Sequence, residues 1–132
     1  MRNKKTQSII KIYSDLYHFT VVFVIGPKPS DAFMQKIARR HLLWSGNGEP
    51  VYIPKGARAS TSSFGTGCLV WLRHGNMNTA GALGLFSHEL VHVLTNFADC
   101  YDQGIKFQAD EMHAYYAQWL SDQFVRKSKA LR

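Results

Sequence analysis

Cysteine, long apolar runs and early acidic residues are what this sequence has least of. Its two cysteines, Cys68 and Cys100, lack the paired spacing of a disulfide framework or a cysteine-ligated zinc site, so we expect reduced thiols. No apolar run reaches the roughly eighteen residues of a membrane span. Near the N-terminus, Lys11 interrupts a short apolar stretch, which is not the pattern of a secretory signal. These absences predict a cytoplasmic protein with no membrane partner.

Acidic residues are scarce in the first two thirds of the chain. The formal net charge is +7, and only three of the nine acids precede residue 88. Five acids then fall between Glu89 and Glu111, and the tail over 126–132 is basic again. A basic surface attracts nucleic acid without sequence preference, or an acidic partner, and it equally serves to keep a protein soluble. The cluster of acids after residue 88 suits a bound cation.

Length and composition favour one globular α+β domain over residues 1–132, since the chain is 45% hydrophobic and 13% aromatic. Apolar periodicity and turn residues predict the elements. In chain order we expect a helix over 6–17, a strand over 18–25, a helix opened by residues 29–31, a short strand over 49–53, a connection over 57–67, a strand over 68–72, a helix from 78 or 79 to 98, a loop over 99–104 and a helix over 107–125.

The long helix carries the residues most typical of a chemical site. His88 and His92 are four residues apart, so both imidazoles project from one face and can ligate one tetrahedral zinc. Glu89 lies beside them, where a carboxylate can act on a water as a general base. The alternative is a histidine pair of the core with a capping glutamate. Gly81 and Gly84 on the histidine face predict either room for a substrate or close helix packing.

A catalytic zinc takes three protein ligands and keeps one position open. Glu111 is the best third candidate, because it begins the last helix after a loop that lets the two helices pack antiparallel. Asp110 and His113 are competitors that the residues leave open. For each of the two acids the alternative is a solvated side chain favoured by the helix dipole.

His88, Glu89, His92 and Glu111 together resemble the zincin metallopeptidases of the gluzincin type, in which a His-Glu-x-x-His helix precedes a glutamate on a second helix. The resemblance covers about residues 66–122, and small enzymes of this kind, including those of phages, are similar to the chain in size. It implies a zincin-like domain with a small mixed sheet and one Zn²⁺ per chain held by His88, His92 and Glu111. It also implies that Glu89 is the general base and that 68–72 is an edge strand binding an extended substrate.

The chain departs from that pattern one helical turn after Glu111. Thermolysin-like members carry there an acid that orients a zinc histidine, whereas this chain has Tyr115. The orienting role would fall to a backbone carbonyl or to one of Asp99, Asp102 and Asp110. Candidates for stabilising the oxyanion are His74, Tyr101, His113 and Tyr115. Tyr115 ranks first as a catalytic residue because of its place after Glu111, and a core tyrosine is its alternative.

These observations predict a zinc-dependent metallopeptidase acting on a peptide or protein substrate. One alternative is a zinc amidohydrolase of a non-protein substrate. Another is a basic regulatory or nucleic-acid-associated protein that keeps a structural metal site. Salt-dependent binding without sequence preference would indicate charge attraction alone, and the chain shows no stacking platform or groove-binding helix.

Overall fold

The computed structural model describes residues 7–41, 43, 51–101 and 106–130, and for residues 101 and 106–111 the backbone only. Within these ranges the elements, in chain order, are β1 (Ser8–Ser14), β2 (Phe19–Ile25), α1 (Asp31–Arg40), β3 (Ala59–Phe64), β4 (Gly67–Leu72), α2 (Ala80–Tyr101) and α3 (Lys106–Lys129). The α+β class is confirmed.

The four strands form one mixed sheet in the order β1-β2-β4-β3. β1 and β2 are antiparallel, β2 and β4 are parallel, and β3 and β4 are antiparallel. Helix α1 covers one face of the sheet, while α2 and α3 cover the other. Every residue of β2 and of β4 is buried, because central strands with both faces covered meet no solvent.

Alternate residues of the central strands enter two separate cores. On the α1 face, the buried residues include Val22, Val24, Leu69 and Trp71 from the sheet and Met34, Ile37 and Ala38 from the helix. On the opposite face, they include Phe19, Val21, Phe23 and Val70 from the sheet and Phe86, Phe97, Leu120 and Phe124 from the helices. The prediction of a buried strand over 18–25 is therefore confirmed.

The helix predicted over 6–17 is wrong, because this segment forms β1 and the β1–β2 turn. Ile10 and Ile12 are buried in the core beneath α2 and α3, whereas Ile9 packs on the α1 side and Lys11 is exposed. The apolar positions fit a helical period and a period of two equally well. Pairing of the β-branched residues with β2 decides between them.

The connection predicted over 57–67 is also wrong, since Ala59–Phe64 forms β3. β3 pairs with β4 on one side and ends the sheet. The strand predicted over 68–72 exists as β4, but it lies between β2 and β3. The edge position that the zincin resemblance implied for 68–72 is therefore wrong, because β3 lies at this edge of the sheet. The Ser/Thr-rich sequence of β3 gave no signal of a strand.

The short strand predicted over 49–53 is not formed at residues 51–53, and residues 49 and 50 lie outside the described part. Val51 N–H donates to Gln35 Oε1 (2.9 Å), and Ile53 N–H donates to Asp31 Oδ1 (3.1 Å). Side chains of α1 therefore satisfy backbone groups that a strand partner would otherwise take.

Both capped helices begin where the sequence predicts. Ser30 Oγ accepts from Phe33 N–H at the start of α1, and Thr79 Oγ1 accepts from Ala82 N–H at the start of α2 (both 3.1 Å). Helix α2 continues to Tyr101, so the predicted loop over 99–104 is helical in its first three residues; the rest lies outside the described residues. Across the described ranges, no helix combines the length and hydrophobicity needed to cross a membrane.

Apolar spacing in α2 predicts a core stripe of Leu83, Phe86, Leu90, Leu94 and Phe97, and this prediction is correct except at Leu83. Phe86 and Phe97 are buried, but Leu83 is half exposed, and Val93 takes a buried position instead. In α3, apolar spacing predicts a core face of Met112, Tyr116, Trp119, Leu120 and Phe124. Tyr116, Leu120 and Phe124 are buried and Met112 packs against them, but Trp119 is 37% exposed.

Candidate metal centre and groove

Helix α2 places the two motif histidines as the spacing predicts. The Nε2 atoms of His88 and His92 are 3.3 Å apart. Two zinc–nitrogen bonds of about 2.0–2.1 Å at a tetrahedral angle place their nitrogens about 3.3–3.4 Å apart. The same separation also permits a hydrogen bond between the rings. Both imidazoles are exposed, so the pair suits one metal ion that approaches from solvent.

Glu89 is buried although its neighbours are exposed. The Glu89 side chain is 6% exposed, against 68% for His88, and its Oε2 lies 4.0 Å from His88 Nε2. Thr61 of β3 donates from Oγ1 to Glu89 Oε1 (2.8 Å). A buried carboxylate is costly unless its charge is compensated, and a cation held by the histidines would supply that compensation. The donor set therefore fits a divalent metal with an adjacent base.

A groove of about 430 Å³ runs past this pair. It is lined by all of β3, by three residues of the segment before β3 (Val51, Tyr52 and Pro54) and by three residues of α2 (His88, Glu89 and His92). Tyr52 is 63% exposed at its rim. Since β3 is an edge strand, alternate backbone N–H and C=O groups point away from β4. The groove thus sets a strand edge beside the histidine pair.

Asn96 fixes the helix against the same strand. Its Nδ2 atom donates to the carbonyl oxygens of Phe64 and Gly67 (both 2.8 Å), and it lies 3.3 Å from Cys68 Sγ. Asn96 follows His92 by about one helical turn. Together with the Thr61–Glu89 bond, it ties α2 to the β3–β4 hairpin on both sides of His92.

Cys68 lies beneath these contacts as a neutral thiol. Burial raises its pKa to about 12, although hydrogen bonds from Asn96 and Ser63 act in the opposite direction. Burial also raises the pKa of the Cys100 thiol. Neither thiolate forms readily at neutral pH, which disfavours cysteine as a nucleophile or metal ligand here.

The described side chains do not identify a third zinc ligand. Among them, no group of three His, Cys, Asp or Glu is placed to hold a metal ion. The backbones of Asp110 and Glu111 lie in α3, but their side chains fall outside the described part. His113 packs edge-on against Phe97, with ring centroids 5.8 Å apart. Phe97 is about 140° around α2 from His92, so the structure separates His113 from the pair.

Tyr115 is not brought to the groove. It is 64% exposed and lines another cavity, beside the β1–β2 turn. Among the other predicted site residues, His74 and Asp99 are exposed, while Tyr101 and Asp102 have no described side chain. Close helix packing at Gly81 and Gly84 is not observed, since a Cβ at either position meets nothing within 4 Å.

Thr61 and Tyr52 are the site residues that sequence reasoning missed. Thr61 lies in the stretch predicted to be a connection, and Tyr52 lies in the predicted short strand. No motif marks either residue, because Thr61 enters the site through the position of β3 at the sheet edge, and Tyr52 lies between two residues that hydrogen-bond to side chains of α1. Comparisons of the chain with protein-family models, curated proteins and solved structures return no match.

Proposed function

We propose that the chain is a zinc-dependent metallopeptidase that hydrolyses peptide bonds in the β3 groove. The observation that carries this proposal is the 3.3 Å separation of the His88 and His92 Nε2 atoms, with the Glu89 carboxylate 4.0 Å from His88. Two metal ligands and an adjacent base are the parts that such a hydrolysis needs. In this proposal Glu111 is the third ligand.

Four residues of the groove have a role in the proposed reaction: His88, His92, Thr61 and Glu89. His88 and His92 hold the ion through Nε2, and a bound zinc supplies Lewis-acid polarisation of a water and of the scissile carbonyl. Thr61 fixes one oxygen of Glu89, so the other oxygen is directed toward His88. Glu89 accepts a proton from the attacking water and donates it to the leaving amine. Tyr115 receives no role, because it lines another cavity.

The groove supports a peptide as the substrate class. An extended chain can pair with the free edge of β3 through main-chain hydrogen bonds, which any peptide offers. Among the described residues that line the groove, Glu89 is the one acid and none is a lysine or an arginine. A zinc amidohydrolase of a non-protein substrate, such as a cell-wall peptide, is the alternative, and the strand edge favours it only where that substrate offers a main chain for pairing.

The test is metal content combined with cleavage of a peptide library. We expect about one zinc per chain in the native protein, lost in His88→Ala because one ligand is removed. Glu89→Gln should retain the zinc and abolish cleavage, since the amide cannot take the proton. A native protein that binds no zinc, or a Glu89→Gln variant that cleaves at the native rate, would overturn the proposal.

A further inference from the structure

A second cavity lies between the β1–β2 turn and α3, apart from the metal centre. Its volume is about 370 Å³, and five of its eight lining residues are aromatic. These are Tyr13, Tyr17, Tyr115, Tyr116 and Trp119. Ser14 at the end of β1, and Asp15 and Leu16 in the β1–β2 turn, complete the wall.

The inner wall is held rigidly by the core. Tyr116 is 2% exposed and stacks on Phe97 with ring centroids 4.2 Å apart. Tyr17 meets the same Phe97 ring edge-on at 5.0 Å. The Tyr17 and Tyr116 rings are nearly perpendicular, at 87° and 6.0 Å, and Trp119 lies 6.0 Å from Tyr116. Rings in this arrangement present several aromatic surfaces to one small volume.

The outer wall leaves large aromatic side chains in solvent. Tyr13, Tyr115 and Trp119 are 43%, 64% and 37% exposed. Contiguous exposed apolar groups are uncommon on a soluble protein unless they bind something. Tyr13 is further oriented by a contact of 2.8 Å between its hydroxyl and His18 Nδ1. The cavity is thus a preformed aromatic enclosure open to solvent.

The charge of the lining residues indicates which kind of ligand the cavity favours. Among the described residues that line the cavity, Asp15 is the one that carries a charge, in a chain whose formal net charge is +7. The faces of aromatic rings are electronegative and attract cations within about 6 Å of the ring centre. A carboxylate and several ring faces together repel an anion and favour a cation with little hydration to lose.

We propose that this cavity binds an alkylated ammonium group, such as a quaternary ammonium cation. The Asp15 carboxylate supplies the opposite charge, and the rings of Tyr17, Tyr115 and Trp119 contact the alkyl groups, while the buried Tyr116 ring supports them from the core. A small, strongly hydrated cation gains less, because the rings offer no oxygen ligands to replace its water. The site does not depend on the metal chemistry of the β3 groove.

The test is a titration of the whole chain with tetramethylammonium chloride, followed by ¹⁵N–¹H spectra. The indole N–H resonance of Trp119 is assigned by its loss in Trp119→Phe. We expect a saturable shift of that resonance, with sodium chloride at equal ionic strength as the control. Choline should bind likewise, whereas its neutral carbon analogue 3,3-dimethylbutan-1-ol should bind about tenfold more weakly, since it lacks the charge.

Two variants separate the proposed site from general surface effects. Asp15→Asn should weaken tetramethylammonium binding, while Asp122→Asn, an exposed acid of α3 outside the cavity, should leave it unchanged. Trp119→Leu should abolish binding measured by saturation transfer to the ligand methyl protons, with thermal unfolding as the check on folding. Equal binding of the neutral analogue, or no saturable shift in the native protein, would overturn the proposal.

Discussion

Burial distinguishes Glu89 from the histidines on either side of it. The histidines are exposed and accessible to an ion, whereas the carboxylate is enclosed between α2 and β3. The orientation of a buried carboxylate is fixed by the groups that donate hydrogen bonds to it. The orientation of the proposed base is therefore set by Thr61, a residue of the neighbouring strand.

Replacing Thr61 by Val removes that hydroxyl and keeps the shape of the side chain. We expect kcat for peptide hydrolysis to fall roughly tenfold or more, because a hydrogen bond to a charged group contributes about 1.5–3 kcal/mol. KM and zinc content should be unchanged, and Thr61→Ser should restore kcat. Thr95→Val is the matched control, since Thr95 is not among the groove-lining residues and its hydroxyl donates to the Val91 carbonyl within α2. A Thr61→Val enzyme with native kcat would exclude the positioning role.

The identity of the third ligand can be tested on adjacent acids. Glu111→Ala should lower zinc affinity strongly, while Asp110→Ala should change it little, because one metal bond is lost only in the first variant. Zinc content after dialysis against a weak chelator measures the difference. Equal zinc content in the two variants would remove Glu111 from the metal centre.

Among the secondary-structure elements, β4 depends on close contact with β2 at its first residue. A Cβ on Gly67 would overlap the carbonyl oxygen of Thr20, its partner across the parallel pair. The backbone oxygen cannot move without breaking the sheet. Glycine at this position is what allows the β3–β4 hairpin to join the central strands.

Gly67→Ala should therefore destabilise the fold by at least about 1–3 kcal/mol, the usual cost of overpacking. Gly84→Ala is the control, because a Cβ there meets nothing within 4 Å and alanine favours a helix. It should raise stability by about 0.4–1 kcal/mol. Urea unfolding of both variants gives the comparison, and unchanged stability of Gly67→Ala would refute the contact.

Elements with a single periodicity could be predicted from the sequence, and ambiguous ones could not. Six of the seven residues of β2 are apolar, and α1 and α2 begin at capping residues, so local signals identify them. β1 fits two periods, and β3 carries five small or hydroxyl-bearing residues in six, so neither has a local signature. Their structure comes from pairing with β2 and β4, which is information held elsewhere in the chain.

The same division applies to the candidate site. The spacing of His88, Glu89 and His92 fixes their geometry within one helix, and the structure places them as that spacing predicts. Thr61 joins the site through the sheet order, and Tyr52 joins it through the hydrogen bonds between its neighbours and α1; no motif encodes either. The β4 edge implied by the zincin resemblance was wrong for the same reason, since the strand that reaches the groove could only be identified from the topology.

At the scale of the whole molecule, the core beneath α2 and α3 encloses a thiol that resists ionisation. An unfolded Cys68 ionises near pH 9.0, whereas the folded thiol has a pKa of about 12. The folded state thus holds the proton more tightly. This contribution to stability is fully present below pH 9 and is lost as the pH rises toward 12.

Cys68→Ala should remove that dependence. The difference in unfolding free energy between the native protein and this variant should shrink as the pH is raised above 9, measured by urea unfolding at each pH. Cys100→Ala should show a smaller change, because Cys100 is partly exposed. A difference that is constant with pH would contradict the assignment of a buried neutral thiol.

The two polar ties between α2 and the β3–β4 hairpin have a consequence for local opening. Thr61 to Glu89, and Asn96 to the hairpin carbonyls, must break together before the histidine pair can separate from the strand edge. Amide hydrogens of the hairpin and of the middle of α2 should then exchange with solvent as one cooperative unit. Separation of the histidine pair from the strand edge would then require the opening of that whole unit.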